Sequence, residues 1–215
     1  NDVHVGNYGI TGCFSFYPTK QITTGEGGMV ISNDKNIIEN IKKLKAFGID
    51  TPPELRKKPG FYDVQGLGNN YRMTDFQAAL GVGQIERYDK NLARRKDNAK
   101  LYCDLLKGIT GISFLDYSEH SSYFLFQIIL ENHINRDEIL LKLKEMGIGV
   151  SIHYATPVPL MSYYRNKYGY KTSDFPNALN FGNQSISLPV HSNLVNDDIA
   201  YICEVLGNYL GKKNE

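Results

Sequence analysis

The sequence predicts a glycine-rich α/β piece followed by a small α+β domain. Three observations carry this. Early on, a glycine run leads into a short apolar strand and then a capped helix. A long helical stretch follows, joining two regions of different texture. Beyond it, strand-like and helix-like patterns alternate to the end of the chain.

The elements follow in order. Residues 28–32, Gly-Met-Val-Ile-Ser, read as a short buried strand. Asn33 or Asp34 can cap the next helix, in which Ile37, Ile41 and Leu44 recur at helical spacing. Gly48 ends it. Residues 49–69 carry Pro52, Pro53, Pro59, several glycines and Arg56-Lys57-Lys58, and are expected to form a long irregular loop. Thr74-Asp75-Phe76-Gln77 has the capping-box pattern, with Gln77 able to reach back to the cap. Phe76, Ala79, Leu80, Ile85 and Tyr88 then supply an apolar stripe. Helical composition runs on to Leu106 and Gly108, with a possible break near Asp89. Residues 123–130 form the strongest strand candidate. Asn135 with Glu138 caps a helix bearing Ile139, Leu140, Leu143 and Met146, closed by Gly147. Residues 148–152 and 185–188 read as further strands, and Asn196 starts a last helix with Ile199, Ile202 and Leu206 on one face.

Composition narrows the functional classes. The 215 residues include 41% hydrophobic side chains, enough for one large or two small packed domains. A net charge of +1 gives no overall field for nucleic acid or anionic lipid. The cysteines, Cys13, Cys103 and Cys203, are odd in number and far apart, which fits neither a disulfide framework nor zinc-ligand spacing. They are expected to be buried small apolar groups in a reducing cytoplasm. No apolar stretch approaches the roughly 18 residues of a membrane span. His4, His120, His133 and His191 show no metal spacing, and Arg94-Arg95-Lys96 reads as a solvated helix face.

One lysine stands out. Lys20 lies between the polar aromatic segment Ser15-Phe16-Tyr17-Pro18-Thr19 and the turn Thr24-Gly25-Glu26-Gly27-Gly28. A phosphate-binding lysine usually has its glycines in front of it; here they follow. An amine nucleophile works when its surroundings favour the neutral form or when it is already held as an imine. Glycines let backbone pass close to a planar cofactor. Ser15 could donate its hydroxyl to a phosphate near the same turn, or merely satisfy that turn.

These words, Ser15-Phe16-Tyr17-Pro18-Thr19-Lys20 with Thr24-Gly25-Glu26-Gly27-Gly28, resemble the active-site signature of the DegT/DnrJ/EryC1/StrS sugar aminotransferases. Asn70-Tyr71-Arg72-Met73-Thr74-Asp75 with Gln77-Ala78-Ala79-Leu80 resembles that family's second signature, at the expected distance downstream. The likeness continues through Gly147–Tyr154 and Ser187-Leu188-Pro189. It implies the aspartate-aminotransferase-like fold (PLP fold type I), pyridoxal phosphate (PLP) as cofactor and a homodimer with shared active sites. On this reading residues 1–88 are a remnant of the large PLP-binding domain, 89–107 a connecting helix, and 108–215 the small C-terminal α+β domain.

The resemblance also implies roles. Lys20 matches the lysine that holds PLP covalently and then shuttles the proton, and Ser15 matches a phosphate contact. Asn70 and Arg72 match the turn that reaches the cofactor phosphate of the opposite subunit, though relatives differ over which of the two makes the contact. Asn70 could equally be a turn residue and Arg72 an ion-pair partner. His153 and Tyr154 fall where the family forms the substrate mouth, and could equally be strand-end structure. The implied activity is amino transfer, from L-glutamate on family grounds, to a nucleotide-linked keto-sugar for surface polysaccharides. The wording is closest to perosamine-synthase-like members, which implies C4 of a 4-keto-6-deoxy sugar. The alternatives are a sugar dehydratase relative, which carries histidine at the lysine position, and a non-catalytic binding or regulatory relative. The chain opens on Asn1 with only nineteen residues ahead of Lys20, so it is expected to be the latter part of a longer protein, with further cofactor contacts upstream.

Overall fold

The computed structural model describes residues 3–211, which divide into two compact units at the boundary between Tyr88 and Asp89.

In the first unit, β1 (Gly12–Ser15) and β2 (Gly28–Ile31) pair antiparallel, from Gly12 opposite Ile31 to Ser15 opposite Gly28. The sequence reading missed β1, whose few residues give no period long enough to see. Nor is β2 the buried strand expected: Met29 is 46% exposed and Val30 only half-buried. Among the described residues, neither strand has a second neighbour. Asp34 caps α1 (Lys35–Leu44), its carboxylate accepting from the Asn36 N–H at 2.8 Å.

The chain then makes a long irregular excursion, broken by a 3-10 turn at Pro53–Leu55 and an antiparallel bridge between Ile49 and Val64, and returns against the end of α1. The Asn69 N–H donates to Leu44 O at 2.7 Å, Phe47 N–H to Asn69 O at 3.0 Å, and Tyr71 N–H to Lys45 O at 2.9 Å. This crossing requires glycine. A Cβ on Gly68 would lie 2.1 Å from the Gly48 nitrogen, and one on Gly48 would lie 2.0 Å from the Gly66 carbonyl oxygen, at φ +74°.

Helix α2 (Asp75–Glu86) starts at the capping box the sequence predicts. The Gln77 N–H reaches Thr74 Oγ1 at 3.3 Å, and Gln77 Oε1 accepts from the Thr74 N–H at 2.9 Å. The expected apolar stripe is present but uncovered: Phe76 is 91% exposed and Ile85 64%. Leu80, 43% exposed, and the half-buried Tyr88 are better covered.

The second unit contains the hydrophobic core. It opens with α3 (Tyr88–Leu106), separated from α2 at Arg87, close to the expected break. Its sheet has the antiparallel order β3 (Ile112–Phe114), β4 (Phe126–Leu130), β5 (Ser185–Leu188). Helices α4 (Arg136–Glu145), α5 (Ser162–Tyr168), α6 (Pro176–Gln184) and α7 (Asn196–Leu210) complete it. Tyr102, Leu106, Ile128, Leu143, Ile186, Ile199 and Leu206 are almost wholly inaccessible. Each contributes about 1.5–3 kcal/mol by leaving water. Asn135 caps α4 by accepting from the Asp137 and Glu138 N–H groups at 3.1 and 3.3 Å. The α7 face predicted from Ile199, Ile202 and Leu206 is the buried one.

Several sequence expectations change here. The strand expected at 123–130 begins only at Phe126, because Tyr123 sits at φ +47°, outside extended geometry. Residues 148–152 do not form a strand; Ser151 makes a single bridge to Ser187. The basic run is not a solvated face. Arg94 donates to Leu194 O at 2.8 Å, Arg95 to Tyr123 O at 3.2 Å and Lys96 to Glu119 O at 2.6 Å. Arg94, Asn98 and Tyr102 stack at successive helical turns, and their donors meet the carbonyls of Leu194, His191 and Pro189 in turn. Cys103 and Cys203 are buried, as small apolar groups should be, whereas Cys13 on β1 is exposed. Among the described residues, no cluster of metal-ligating side chains occurs and no helix is long and apolar enough to cross a membrane.

Candidate active site

Lys20 sits in the loop 16–27 that joins β1 to β2. Its N–H donates to Tyr17 O at 2.9 Å, closing the turn through Pro18 and Thr19, and its side chain is half-buried. The loop is fixed from within. Thr24 N–H and Thr23 Oγ1 both donate to Phe16 O, at 3.1 and 3.0 Å, while Phe16 N–H donates to Gly27 O at 2.9 Å. Thr24, almost fully buried, turns its hydroxyl to Glu26 O at 2.8 Å. Gly25 adopts φ +79° and Gly27 φ +152°, so both glycines are conformational requirements. A Cβ on Gly27 would lie 2.5 Å from Thr24 Oγ1, so the turn has no room for one.

Ser15 ends β1 on the same loop and is exposed. Its Oγ accepts from the Tyr17 N–H at 3.3 Å, and so serves the turn while its proton remains to be given elsewhere. Residues 15–27 therefore bring an amine and a hydroxyl to one rigid hairpin end.

Asn70 and Arg72 lie on the strand-like return after the long loop. Asn70 bridges Ala46, and the Arg72 guanidinium stands 5.1 Å over the Phe47 ring. Both are exposed and line a cavity of about 750 Å³ together with Phe14, Met29, Val30 and Met73. Glu26, Gly27 and Gly28 of the glycine turn line the same cavity, whereas Ser15 and Lys20 do not.

One contact that sequence reasoning missed connects the two signatures. Gln77, already engaged in the α2 cap, also donates through Nε2 to the Glu26 carbonyl at 2.8 Å. The start of α2 thereby braces the glycine turn that follows Lys20. Only a pairing of distant motifs could have shown it.

His153 and Tyr154 belong to the second unit. His153 Nδ1 lies 3.0 Å from Ser187 Oγ and 3.3 Å from Ser151 Oγ, and Gln127 Nε2 donates to its carbonyl at 3.2 Å. Its ring is half-buried and meets that of Tyr154 edge-on, with centroids 5.3 Å apart; Tyr154 is 67% exposed.

The donor set on the hairpin suits a ligand carrying an aldehyde and a phosphate. An amine on a turn of glycines can take a planar carbonyl, and an exposed serine hydroxyl can donate to a phosphate oxygen.

Comparison with known proteins agrees. The family description DegT/DnrJ/EryC1/StrS aminotransferase matches residues 1–207. The chain is 34% identical over 213 residues to a UDP-4-amino-4,6-dideoxy-N-acetyl-beta-L-altrosamine transaminase of Campylobacter jejuni, covering 97% of this chain and 54% of that protein. Among solved structures it is similar to Helicobacter pylori PseC, an aminotransferase involved in the biosynthesis of pseudoaminic acid. The TM-score is 0.86 at 27% identity, over 97% of this chain and 55% of that one. A Streptococcus pneumoniae protein assigned as a sugar aminotransferase, in its PLP form, gives a TM-score of 0.84 at 28% identity, over 96% and 53%. The chain thus spans about half the length of the relatives it matches. It belongs to the DegT/DnrJ/EryC1/StrS aminotransferase family and carries the α/β fold of its sugar aminotransferases.

Proposed function

We propose that the protein bearing this chain is a PLP-dependent aminotransferase acting on a nucleotide-linked keto-sugar, with Lys20 as the residue that holds the cofactor. The observation that carries this reading is the position of Lys20: a half-buried residue in the hydrogen-bonded β1–β2 loop, which also carries Ser15 and two glycines at positive φ, Gly25 and Gly27.

PLP, when bound, supplies an electron sink that weakens the C–H bond beside the substrate nitrogen. Lys20 Nζ would hold the cofactor. The same amine would accept the proton from the donor carbon and later deliver one, so a single side chain would serve as base and acid. Ser15 Oγ donates to the cofactor phosphate. Asn70 and Arg72 supply an amide and a guanidinium to the phosphate in a second copy of the chain, the role that the family resemblance implies for this turn. His153 and Tyr154 contact the sugar nucleotide.

The amino donor is L-glutamate and the acceptor carbon is C4 of a 4-keto-6-deoxy sugar. The 4-amino-4,6-dideoxy product named for the Campylobacter jejuni relative supports this position. The histidine-bearing dehydratases of the family are disfavoured by the amine at position 20.

Incubating the complete protein with PLP, L-glutamate and a panel of nucleotide-linked 4-keto-6-deoxy sugars tests the reading. Mass spectrometry should show replacement of the keto oxygen by an amine, with 2-oxoglutarate formed in step. A product that has lost water without gaining nitrogen, or no product from any sugar, would overturn it.

A further inference from the structure

Gln127 and Ser187 stand directly opposite each other on β4 and β5, and so share one face of the sheet. That face is unusual for this core. Ile128, Ile186 and Leu188 fill the other side, whereas this side carries Gln127, Ser185 and Ser187, with both serines almost fully buried. The segment bearing His153 lies over it. Ser151 and Ser187 exchange backbone hydrogen bonds of 3.2 and 2.8 Å, which fixes the segment two residues before the histidine. Gln127 then holds the His153 carbonyl, and Ser187 Oγ meets His153 Nδ1.

We infer that Gln127 and Ser187 form a clamp that fixes His153 as the Nε2–H tautomer, so that it presents a hydrogen-bond donor to an oxygen acceptor on the substrate. Ser187 is 3% exposed, and a buried hydroxyl proton left without an acceptor is costly. Nδ1 is the acceptor within reach, so it takes the hydroxyl proton through its lone pair, and the ring proton resides on Nε2. Nε2 has no hydrogen-bond partner among the described residues. The ring therefore recognises a carbonyl, hydroxyl or phosphate oxygen and discriminates against an ammonium, which has no lone pair, at that place. Ser187 acts through the histidine and is a positioning residue. The inference rests on the reading of His153 as a substrate contact.

Two readouts keep the clamp and that reading apart. Long-range ¹⁵N–¹H spectra of histidine-labelled chain should show His153 as the Nε2–H tautomer in the parent and in Ser187→Thr, and a mixture in Ser187→Ala. In the complete enzyme, Ser187→Ala should raise KM for the keto-sugar about tenfold, the worth of one hydrogen bond, with kcat changed less than about twofold. Ser187→Thr should restore it, and Ser187→Ala should add nothing in a His153→Ala background. If the alanine variant does not fold, Ser187→Cys, close in size and a poor donor, replaces it. An Nδ1–H tautomer in the parent, or a tautomer unaffected by losing the hydroxyl, overturns the clamp. An unchanged KM in His153→Ala overturns the substrate contact alone, and the spectra still decide the clamp.

Discussion

Gln77 donates to the carbonyl of Glu26 across 51 positions of sequence, while its other amide atom closes the cap of α2. One side chain thus holds a helix start and the turn behind Lys20. The two roles separate by chemistry, because capping uses the carbonyl oxygen and bracing uses the NH₂. Gln77→Glu should keep the cap, since a carboxylate still accepts from Thr74 N–H, but it cannot donate to Glu26. Amide exchange at 24–28 should therefore speed up in Gln77→Glu while α2 stays protected. Gln77→Ala should loosen both and cost about 1–2 kcal/mol. Equal protection of the turn in the parent and in Gln77→Glu would show the brace to be incidental.

Much of this was legible. The Asp34, Thr74 and Asn135 caps rest on short-range chemistry, and each appears where the sequence puts it. The α7 face follows from periodicity alone, as does that of α4 at Ile139 and Leu143, while Met146 lies beyond α4 and is 41% exposed. What escaped has physical reasons. Strand β1 is too short to show alternation, and β3 depends on pairing with β4 rather than on its own pattern. The Arg94–Lys96 run looked solvated because its partners are backbone carbonyls distant in sequence, which no pattern of side chains reveals. At the candidate site, Lys20 and its glycines were readable from wording and spacing. The serines behind His153 were not, since Ser151 and Ser187 meet it only through the sheet.

Burial pushes the Cys203 thiol up to about 12 from an ordinary value of 9.0. A raised folded-state pKa stabilises the fold fully below the unfolded value, and the contribution is lost as pH rises through the folded value. The Cys203 contribution to stability should therefore be constant below about pH 9 and fall between there and about pH 12. Cys103 and Tyr102, also raised chiefly by burial, act in the same direction. Cys203→Ala should flatten part of this alkaline slope in denaturant titrations. An identical slope in the variant would assign the loss to other groups.

The assignment of Asn70 and Arg72 to the cofactor phosphate of a second copy predicts complementation between copies. A Lys20→Ala chain mixed with an Asn70→Ala/Arg72→Ala chain leaves one site in each mixed dimer with every group intact. Random mixing should then recover about a quarter of parental turnover from two nearly inactive proteins. Activity that stays at the level of the separate variants, in dimers shown to have exchanged, would place both functions within one chain.

The central claim is that Lys20 is the amine that takes the cofactor. Reducing the complete PLP-loaded protein with borohydride and mapping peptides by mass spectrometry tests it most directly. The account predicts a phosphopyridoxyl mass on the peptide containing Lys20, absent from Lys20→Ala and discharged when L-glutamate is added before reduction. The same mass on another lysine, with Lys20 unmodified, would contradict it.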